Sequence, residues 1–337
     1  MKKKMMMVLL SMVLGIGLMA CGSESGSTAE GSEGTDVADE TTGEAVKSVA
    51  DLKIGVIVRD GGGEFWKYAI TGANDAGRDL GCSVDVVGPQ SQTSYEEQNN
   101  MIENFLTSGK YDAVVIGPLQ PDSVDKVIGE PSIPVILVST DVEFPALTST
   151  ISVDNVTGAY EGAKYALELL GDEIGNVVLL NGTPGEPNGI LRQDGFEKAL
   201  TEAGIQPAAS QSADYLADKA ASVMENMLTE LKNEVSLVLC ANDEMAAGAA
   251  MALDQAGVEA YIVGYDGVQF GVQSIIDGNI DCTIAQSPYM FGYQGVEDAV
   301  KAALGEELER HVQLQTTIIT SENAEEFMET LKTQSGN

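Results

Sequence analysis

The chain has 337 residues, 44% of them hydrophobic, which is enough for two domains of ordinary size with separate cores. Its 52 acidic against 18 basic residues give a net charge of −34 and argue against a nucleic-acid partner, because phosphate binding needs clustered Lys and Arg. With a single histidine, no Ser-His-Asp, Cys-His or metal constellation can be assembled, so neither an enzyme nor a metal or cofactor site is expected.

The first segment reads as an address. Lys2, Lys3 and Lys4 form a positive start, Met5 to Ala20 is an apolar run of 16 residues, and Leu18-Met19-Ala20-Cys21 ends it with small residues before a cysteine. A membrane-spanning helix needs roughly 20 apolar residues, so residues 1–20 read as a signal peptide. The tetrapeptide resembles a bacterial lipobox, which implies cleavage before Cys21 and lipidation of its sulfur. Plain secretion with Cys21 incidental is the alternative. Gly22 to Ala50 is rich in Gly, Ser, Thr, Ala and acid, and cannot bury enough surface to offset its chain entropy. Residues 21–50 therefore read as a lipidated cysteine and a flexible acidic tether.

From Leu52 onward strand-like and helix-like segments alternate. Leu52 to Val58 is a Val/Ile-rich strand, Glu64 to Leu80 a helix closed by Gly81, Ser83 to Val87 a strand, and Tyr95 to Thr107 a helix stopped by Gly109. Tyr111 to Ile116, a short Pro121 to Ile128 helix and Ile133 to Val138 continue the pattern. Thr148 to Val153 is a further strand, and Asp154-Asn155 caps a helix from Val156 to Leu170. The alternation then restarts: strand Val177 to Leu180, helix Gly189 to Ala203, strand Gln206 to Ser212, helix Asp218 to Leu231. The final segments are a helix over Pro288 to Leu304, a strand over Val312 to Ile319 and a helix over Ala324 to Leu331. Such alternation means βαβ units and an α/β fold, and so many units fit two parallel sheets of about six strands better than one.

Between Cys240 and Gln286, three polar motifs each follow a short apolar run: Asn242-Asp243-Glu244-Met245, Val263-Gly264-Tyr265-Asp266-Gly267 and Thr283-Ile284-Ala285-Gln286-Ser287-Pro288. Each sits where a buried parallel strand ends, and that edge of an open α/β sheet is where ligands bind. Asn242, Asp266 and Gln286 are thus candidates to converge on one small polar molecule. The competing reading for Asn242 and Asp266 is helix capping, with Asp243 an equally good cap for the first helix. Cys82, Cys240 and Cys282 are an odd number without C-x-x-C spacing, and the last two read as small buried hydrophobes. His311 reads as a surface residue. The triplet Gly61-Gly62-Gly63 does not complete a nucleotide-binding motif and reads as a flexible loop.

Seven motifs in order carry a family resemblance: Gly55-Val56-Ile57-Val58 with Phe65-Trp66; Val153-Asp154-Asn155 with Gly158; Arg192-Gln193-Asp194-Gly195-Phe196; Ala213-Asp214-Tyr215; Ala241-Asn242-Asp243-Glu244-Met245-Ala246; and the Asp266 and Gln286 motifs above. Together they resemble the type I periplasmic sugar-binding proteins, the ribose- and galactose-binding group that feeds ABC importers. The resemblance runs from about Leu52 to Leu331. It implies two Rossmann-like parallel-sheet domains joined by a three-crossing hinge, with the ligand between them. Carried onto this chain, residues 51–153 plus 287–311 form the N-terminal lobe, and residues 154–286 plus 312–333 the C-terminal lobe.

The same resemblance implies that Arg192, Asn242, Asp266 and Gln286 hydrogen-bond sugar hydroxyls, while Phe65, Trp66 and Tyr215 pack on the apolar face of the sugar. A core-filling role for Trp66 is the alternative. The chain departs from the family at Arg59-Asp60, at the glycine triplet with Glu64, and at Ser139-Thr140 with Asp141 following. Arg59, Ser139 and Asp141 are therefore candidate ligand contacts that choose the sugar. Arg59 either reads a carboxylate or phosphate on the ligand, or forms an ion pair with Asp60 or Asp141.

The implied function is a solute receptor, expected to be monomeric, that delivers a monosaccharide or polyol to an ABC permease; a sugar sensor presenting the same closed form to a membrane kinase or chemoreceptor is the alternative. The implied location is the outer face of the cytoplasmic membrane, or the periplasm of a diderm. Replacing the acceptor sulfur tests the anchor: Cys21→Ala is expected to move the protein from the membrane fraction into the medium, and an unchanged membrane pool contradicts it.

Overall fold

The computed structural model describes residues 47–335; the signal-peptide and Cys21 expectations lie outside them. In chain order the first half runs β1 (Lys53–Ile57), α1 (Glu64–Leu80), β2 (Ser83–Val87), α2 (Tyr95–Thr107), β3 (Ala113–Ile116), α3 (Val124–Ile128), β4 (Val135–Val138) and β5 (Ser149–Val153). There follow α4 (Asn155–Leu170), β6 (Val177–Asn181), α5 (Pro187–Glu202), β7 (Ala209–Ser212), α6 (Ala217–Glu230), β8 (Leu237–Cys240), α7 (Asp243–Ala256), β9 (Tyr261–Asp266), α8 (Gln269–Ile276) and β10 (Cys282–Ala285). The chain ends with α9 (Pro288–Ala303), β11 (His311–Leu314), β12 (Thr317–Thr320) and α10 (Ala324–Gln334).

These strands form two six-stranded sheets, ordered β11-β5-β4-β3-β1-β2 and β12-β10-β9-β8-β6-β7. All pairs are parallel except β10 with β12. Side chains of a strand alternate between faces, and both faces here are covered. In the first sheet Val115, Ile136 and Val138 pack under α1 and α9, while Val114, Ile116 and Leu137 pack under α2 and α3. In the second, Val177, Leu179 and Val263 pack under α4 and α5, whereas Val178, Leu180 and Ile262 face α6, α7, α8 and α10. Cys240 and Cys282 are fully buried within these strands.

Backbone-to-backbone contact sets how closely the helices lie. A Cβ on Gly292 of α9 would fall 1.8 Å from the Ala69 carbonyl oxygen of α1, and one on Gly72 of α1 would fall 2.0 Å from the Tyr289 carbonyl oxygen. Only glycine permits that approach.

The chain passes from the first sheet to the second between β5 and α4, and returns between β10 and α9. The third crossing corrects the sequence reading. The single strand expected over Val312 to Ile319 in the second lobe is two strands: His311–Leu314 pairs with β5 of the first sheet, and Thr317–Thr320 pairs with β10 of the second. Residues 312–314 thus belong with the first sheet, and the link is Gln315-Thr316. The hydrophobic pattern is continuous across both strands, but one flat strand cannot bond to two separate sheets, so the run breaks between them.

Candidate functional site

The carboxyl ends of both sets of parallel strands face one cleft of about 660 Å³, open mouth included. Of the residues singled out in the sequence, Arg59, Phe65, Trp66, Ser139, Arg192, Tyr215, Asn242, Asp266 and Gln286 line it.

Arg192, on the second turn of α5, is its polar centre. Its Nε donates to Asn155 Oδ1 at 2.9 Å, and its Nη1 donates to the Ala241 carbonyl at 2.6 Å and to Asp266 Oδ1 at 3.3 Å. The guanidinium lies 3.9 Å over the Tyr265 ring. Among the described residues, Nη2 has no hydrogen-bond partner. Burial alone would lower the pKa of Arg192, but Asp266, together with the smaller contributions of Tyr265, Tyr215 and Glu186, more than offsets it.

Asp266 ends β9 at φ 114°, a conformation unfavourable for a non-glycine residue and of order 1–3 kcal/mol in cost. Its carboxylate also accepts from Gln286 Nε2 at 2.7 Å. Burial pushes its pKa up to about 6, with Arg192 and Gln286 working in the other direction. The turn that holds it is fixed from below by Asp243, whose Oδ2 accepts the amides of Gly267 at 2.9 Å and Val268 at 3.1 Å, and whose Oδ1 accepts from Thr283 Oγ1 at 2.5 Å. Of the two residues able to cap α7, Asn242 does so, its Oδ1 accepting the Met245 amide at 2.9 Å, and Asp243 does not. Asn242 caps the helix and lines the cleft at once.

Tyr215, at φ 63° after β7, packs so closely on Gly182 that a Cβ there would fall 2.2 Å from the ring. Its hydroxyl donates to Glu186 Oε2 at 2.7 Å. Across the cleft, Phe65 and Trp66 open α1 and meet edge to face at 5.2 Å. Trp66 is almost wholly buried and packs in the first-sheet core, so the core-filling reading holds together with its place in the cleft wall.

Arg59 makes an ion pair, but with a partner that sequence reasoning did not weigh. Its Nη1 donates at 3.1 Å to Glu186 Oε1 of the other lobe, and its Nη2 to the Ser139 carbonyl at 3.3 Å. Neither Asp60 nor Asp141 is its partner. Asp60 instead accepts the Gly62 amide at 2.8 Å, which turns the glycine triplet around it. Ser139 at φ 57° bends the chain out of the sheet, and by Asp141 it has reached the surface, where the carboxylate lies 3.0 Å from His311 Nδ1. Asp141 does not line the cleft, which corrects its place among the candidate contacts. Burial pushes the Glu186 carboxyl up, but the charge of Arg59 with the Tyr215 and Gly189 hydrogen bonds holds it below its ordinary pKa, so it is ionised.

Sequence reasoning missed Glu186, Asn188, Gln92 and Phe270. Glu186 precedes Pro187 at the start of α5 and caps that helix through the Gly189 amide at 2.8 Å, a pattern that says nothing of the opposite lobe. Asn188 donates to the Ser139 carbonyl at 2.8 Å, and the Phe270 amide donates to Glu64 Oε2 at 3.4 Å. With Arg59–Glu186, these contacts hold the two lobes against each other.

Residues 54–307 match the family model described as "Periplasmic binding protein domain". The chain belongs to the periplasmic binding protein family, in its type I, sugar-binding group, and is an extracytoplasmic binding protein rather than an enzyme. It is 31% identical to the ribose import binding protein RbsB of Escherichia coli over 269 residues, 79% of this chain and 89% of that one. It is 27% identical to the D-allose-binding periplasmic protein of the same organism, over 77% of this chain and 86% of that one. Among solved structures it is similar to a carbohydrate transporter solute binding protein from Agrobacterium radiobacter in complex with D-arabinose, with TM-score 0.76, 27% identity, and coverage of 84% and 99%. An ABC transporter periplasmic solute binding protein from Actinobacillus succinogenes with bound D-allose gives TM-score 0.74 and 26% identity, with coverage of 82% and 99%.

The raised pKa of Asp266 has a consequence for stability. Between its ordinary value of 3.8 and about 6, the folded state holds a proton that the unfolded state has released, so this group's contribution to stability falls as pH rises through that window. Urea unfolding of ligand-free protein at pH 4 and pH 7 should show a smaller loss of stability on raising the pH for Asp266→Asn than for wild type, by about 1–3 kcal/mol. Equal losses contradict the buried, proton-binding state assigned to Asp266.

Proposed function

We propose that the protein captures a small carbohydrate, a monosaccharide or polyol, in the cleft between its lobes and hands it to an ABC importer. The observation that carries this reading is Asp266 accepting from both Arg192 and Gln286 in the cleft, between aromatic walls from both lobes. A sugar hydroxyl both donates and accepts. Arg192 Nη2 offers a donor and Asp266 an acceptor, in bonds worth about 1.5–3 kcal/mol each because one partner is charged. Phe65, Trp66 and Tyr215 supply apolar faces for ring C–H groups. Asn242 completes the polar lining. The ribose, allose and arabinose in the names of the related proteins belong to the same chemical class.

Closure is a hinge motion at the three crossings, 153–154, 286–287 and 315–316, with ligand bonds to both lobes favouring the closed form. Gln286 lies at the second crossing and bonds Asp266, so it links ligand contact to the hinge. Lipidation of Cys21 tethers the monomeric body to the membrane that holds the permease.

A calorimetric screen of purified protein against sugars and polyols should yield at least one ligand with a dissociation constant on the order of a micromolar, and Asp266→Ala should weaken it by at least about tenfold. Silence across a broad panel, or undiminished binding by the variant, contradicts the reading.

A further inference from the structure

On one side the cleft is bounded by a tie between the lobes. Arg59 Nη1 of the first lobe donates to Glu186 Oε1 of the second at 3.1 Å, and Glu186 Oε2 accepts from the Tyr215 hydroxyl at 2.7 Å and the Gly189 amide at 2.8 Å. Arg59 is also held within its own lobe, where Nη2 donates to the Ser139 carbonyl at 3.3 Å and the guanidinium lies 6.0 Å over the Trp66 ring. Only 10% of the Arg59 side chain and 11% of the Glu186 side chain are exposed. The tie is therefore shielded and anchored at both ends, unlike a surface ion pair, which holds little.

A second cavity lies against this tie. It has a volume of about 1550 Å³ including open solvent, and Ser91, Tyr95, Gln120, Pro184 and Leu216 are in its lining. Arg59 and Tyr215 line both this outer cavity and the cleft, whereas Glu186, which joins them, lines the outer one. The row Arg59–Glu186–Tyr215 is thus part of the partition between the two spaces. Gln92 and Glu244 border both spaces as well, but their side chains make no hydrogen bond or ion pair among the described residues, so the tied row is the part that resists displacement. The other polar join, Asn188 on the Ser139 carbonyl, borders the cleft alone. Because the halves of the row belong to different lobes, it is complete only when the lobes meet.

Resting on the carbohydrate reading, we propose that Arg59 and Glu186 determine specificity by size: they shut the cleft beside the ligand and refuse a sugar or polyol extended at the position that faces them. The parent molecule fits within the wall. An ether or glycosidic group at that position must either displace a shielded ion pair or keep the lobes apart. Arg59 stands where the chain departs from the family pattern, so this wall is separate from the hydroxyl-binding group of Arg192, Asp266 and Gln286. The tie also has to break before ligand leaves, which slows release.

The test takes the tightest-binding sugar or polyol of a calorimetric screen and its O-methyl and O-benzyl ethers at each hydroxyl in turn. At one position or more the wild type should lose about tenfold or more on etherification, as expected for overpacking a fixed wall. Arg59→Ala joins the two cavities; with its fold checked by thermal melting, it should recover about fivefold or more at that position, leave the penalties elsewhere unchanged and still bind the parent. Glu186→Gln keeps the shape of the wall but removes the charge, and should speed dissociation of the parent about fivefold or more in stopped flow, with less effect on association. The size inference falls, and the carbohydrate reading stands, if Arg59→Ala relieves no position, if it abolishes parent binding and so makes Arg59 a ligand contact, or if Glu186→Gln leaves dissociation unchanged. If no sugar or polyol binds the wild type, the carbohydrate reading falls and the size inference with it.

Discussion

A guanidinium removed from water must be compensated on all sides, and the buried Arg192 imposes that requirement on the second lobe. Its partners are Asn155 at the start of α4, the Ala241 carbonyl beyond β8, and Asp266 at the end of β9, so one side chain ties together three segments distant in sequence. Removing one member of such a buried pair typically costs about 3–5 kcal/mol, because the other charge is left stranded. Asp266 accepts an unfavourable backbone angle to reach the arginine, and Asp243 holds the turn that permits it. The cleft floor is rigid for this reason, and rigid donors and acceptors are what discriminate one arrangement of hydroxyls from another.

The first lobe is built to meet that floor. Ser139, Tyr215 and Asp266 all adopt positive φ at strand ends, where the chain must leave the sheet abruptly to present a group to the cleft. The Ser139 carbonyl accepts from both Arg59 and Asn188, so one backbone oxygen receives a donor from each lobe. Arg59 and Glu186 complete the join. These contacts are few and polar, and each of their groups can equally be satisfied by water, whereas a broad apolar interface cannot be.

The fold was legible because most of its elements declare themselves locally. The Val and Ile runs of β1, β3, β4 and β8 are buried on both faces, and Gly81 and Asp154 mark helix ends where the chain needs a left-handed residue or a side-chain cap. The split between β11 and β12 was not legible, because the apolar alternation runs through both and only the sheets they join require a break. For the cleft, strand-end position and family resemblance pointed to Arg192, Asp266 and Gln286. Glu186 and Asn188 escaped because their local pattern is that of an ordinary helix start after a proline-rich loop, and their significance lies in the opposite lobe. Asp141 was drawn in by sequence adjacency to Ser139, yet two residues beyond a sharp bend are enough to carry a side chain to the surface.

The central claim is that ligand is held between the lobes on the Arg192–Asp266 pair. A crystal structure of the protein with the small molecule that co-purifies with it, identified by mass spectrometry, tests this most directly. The account predicts ligand oxygens within hydrogen-bond distance of Arg192 Nη2 and Asp266, with a ring face against Trp66 or Tyr215. A ligand bound elsewhere, or one in the cleft that touches neither Arg192 nor Asp266, would contradict it.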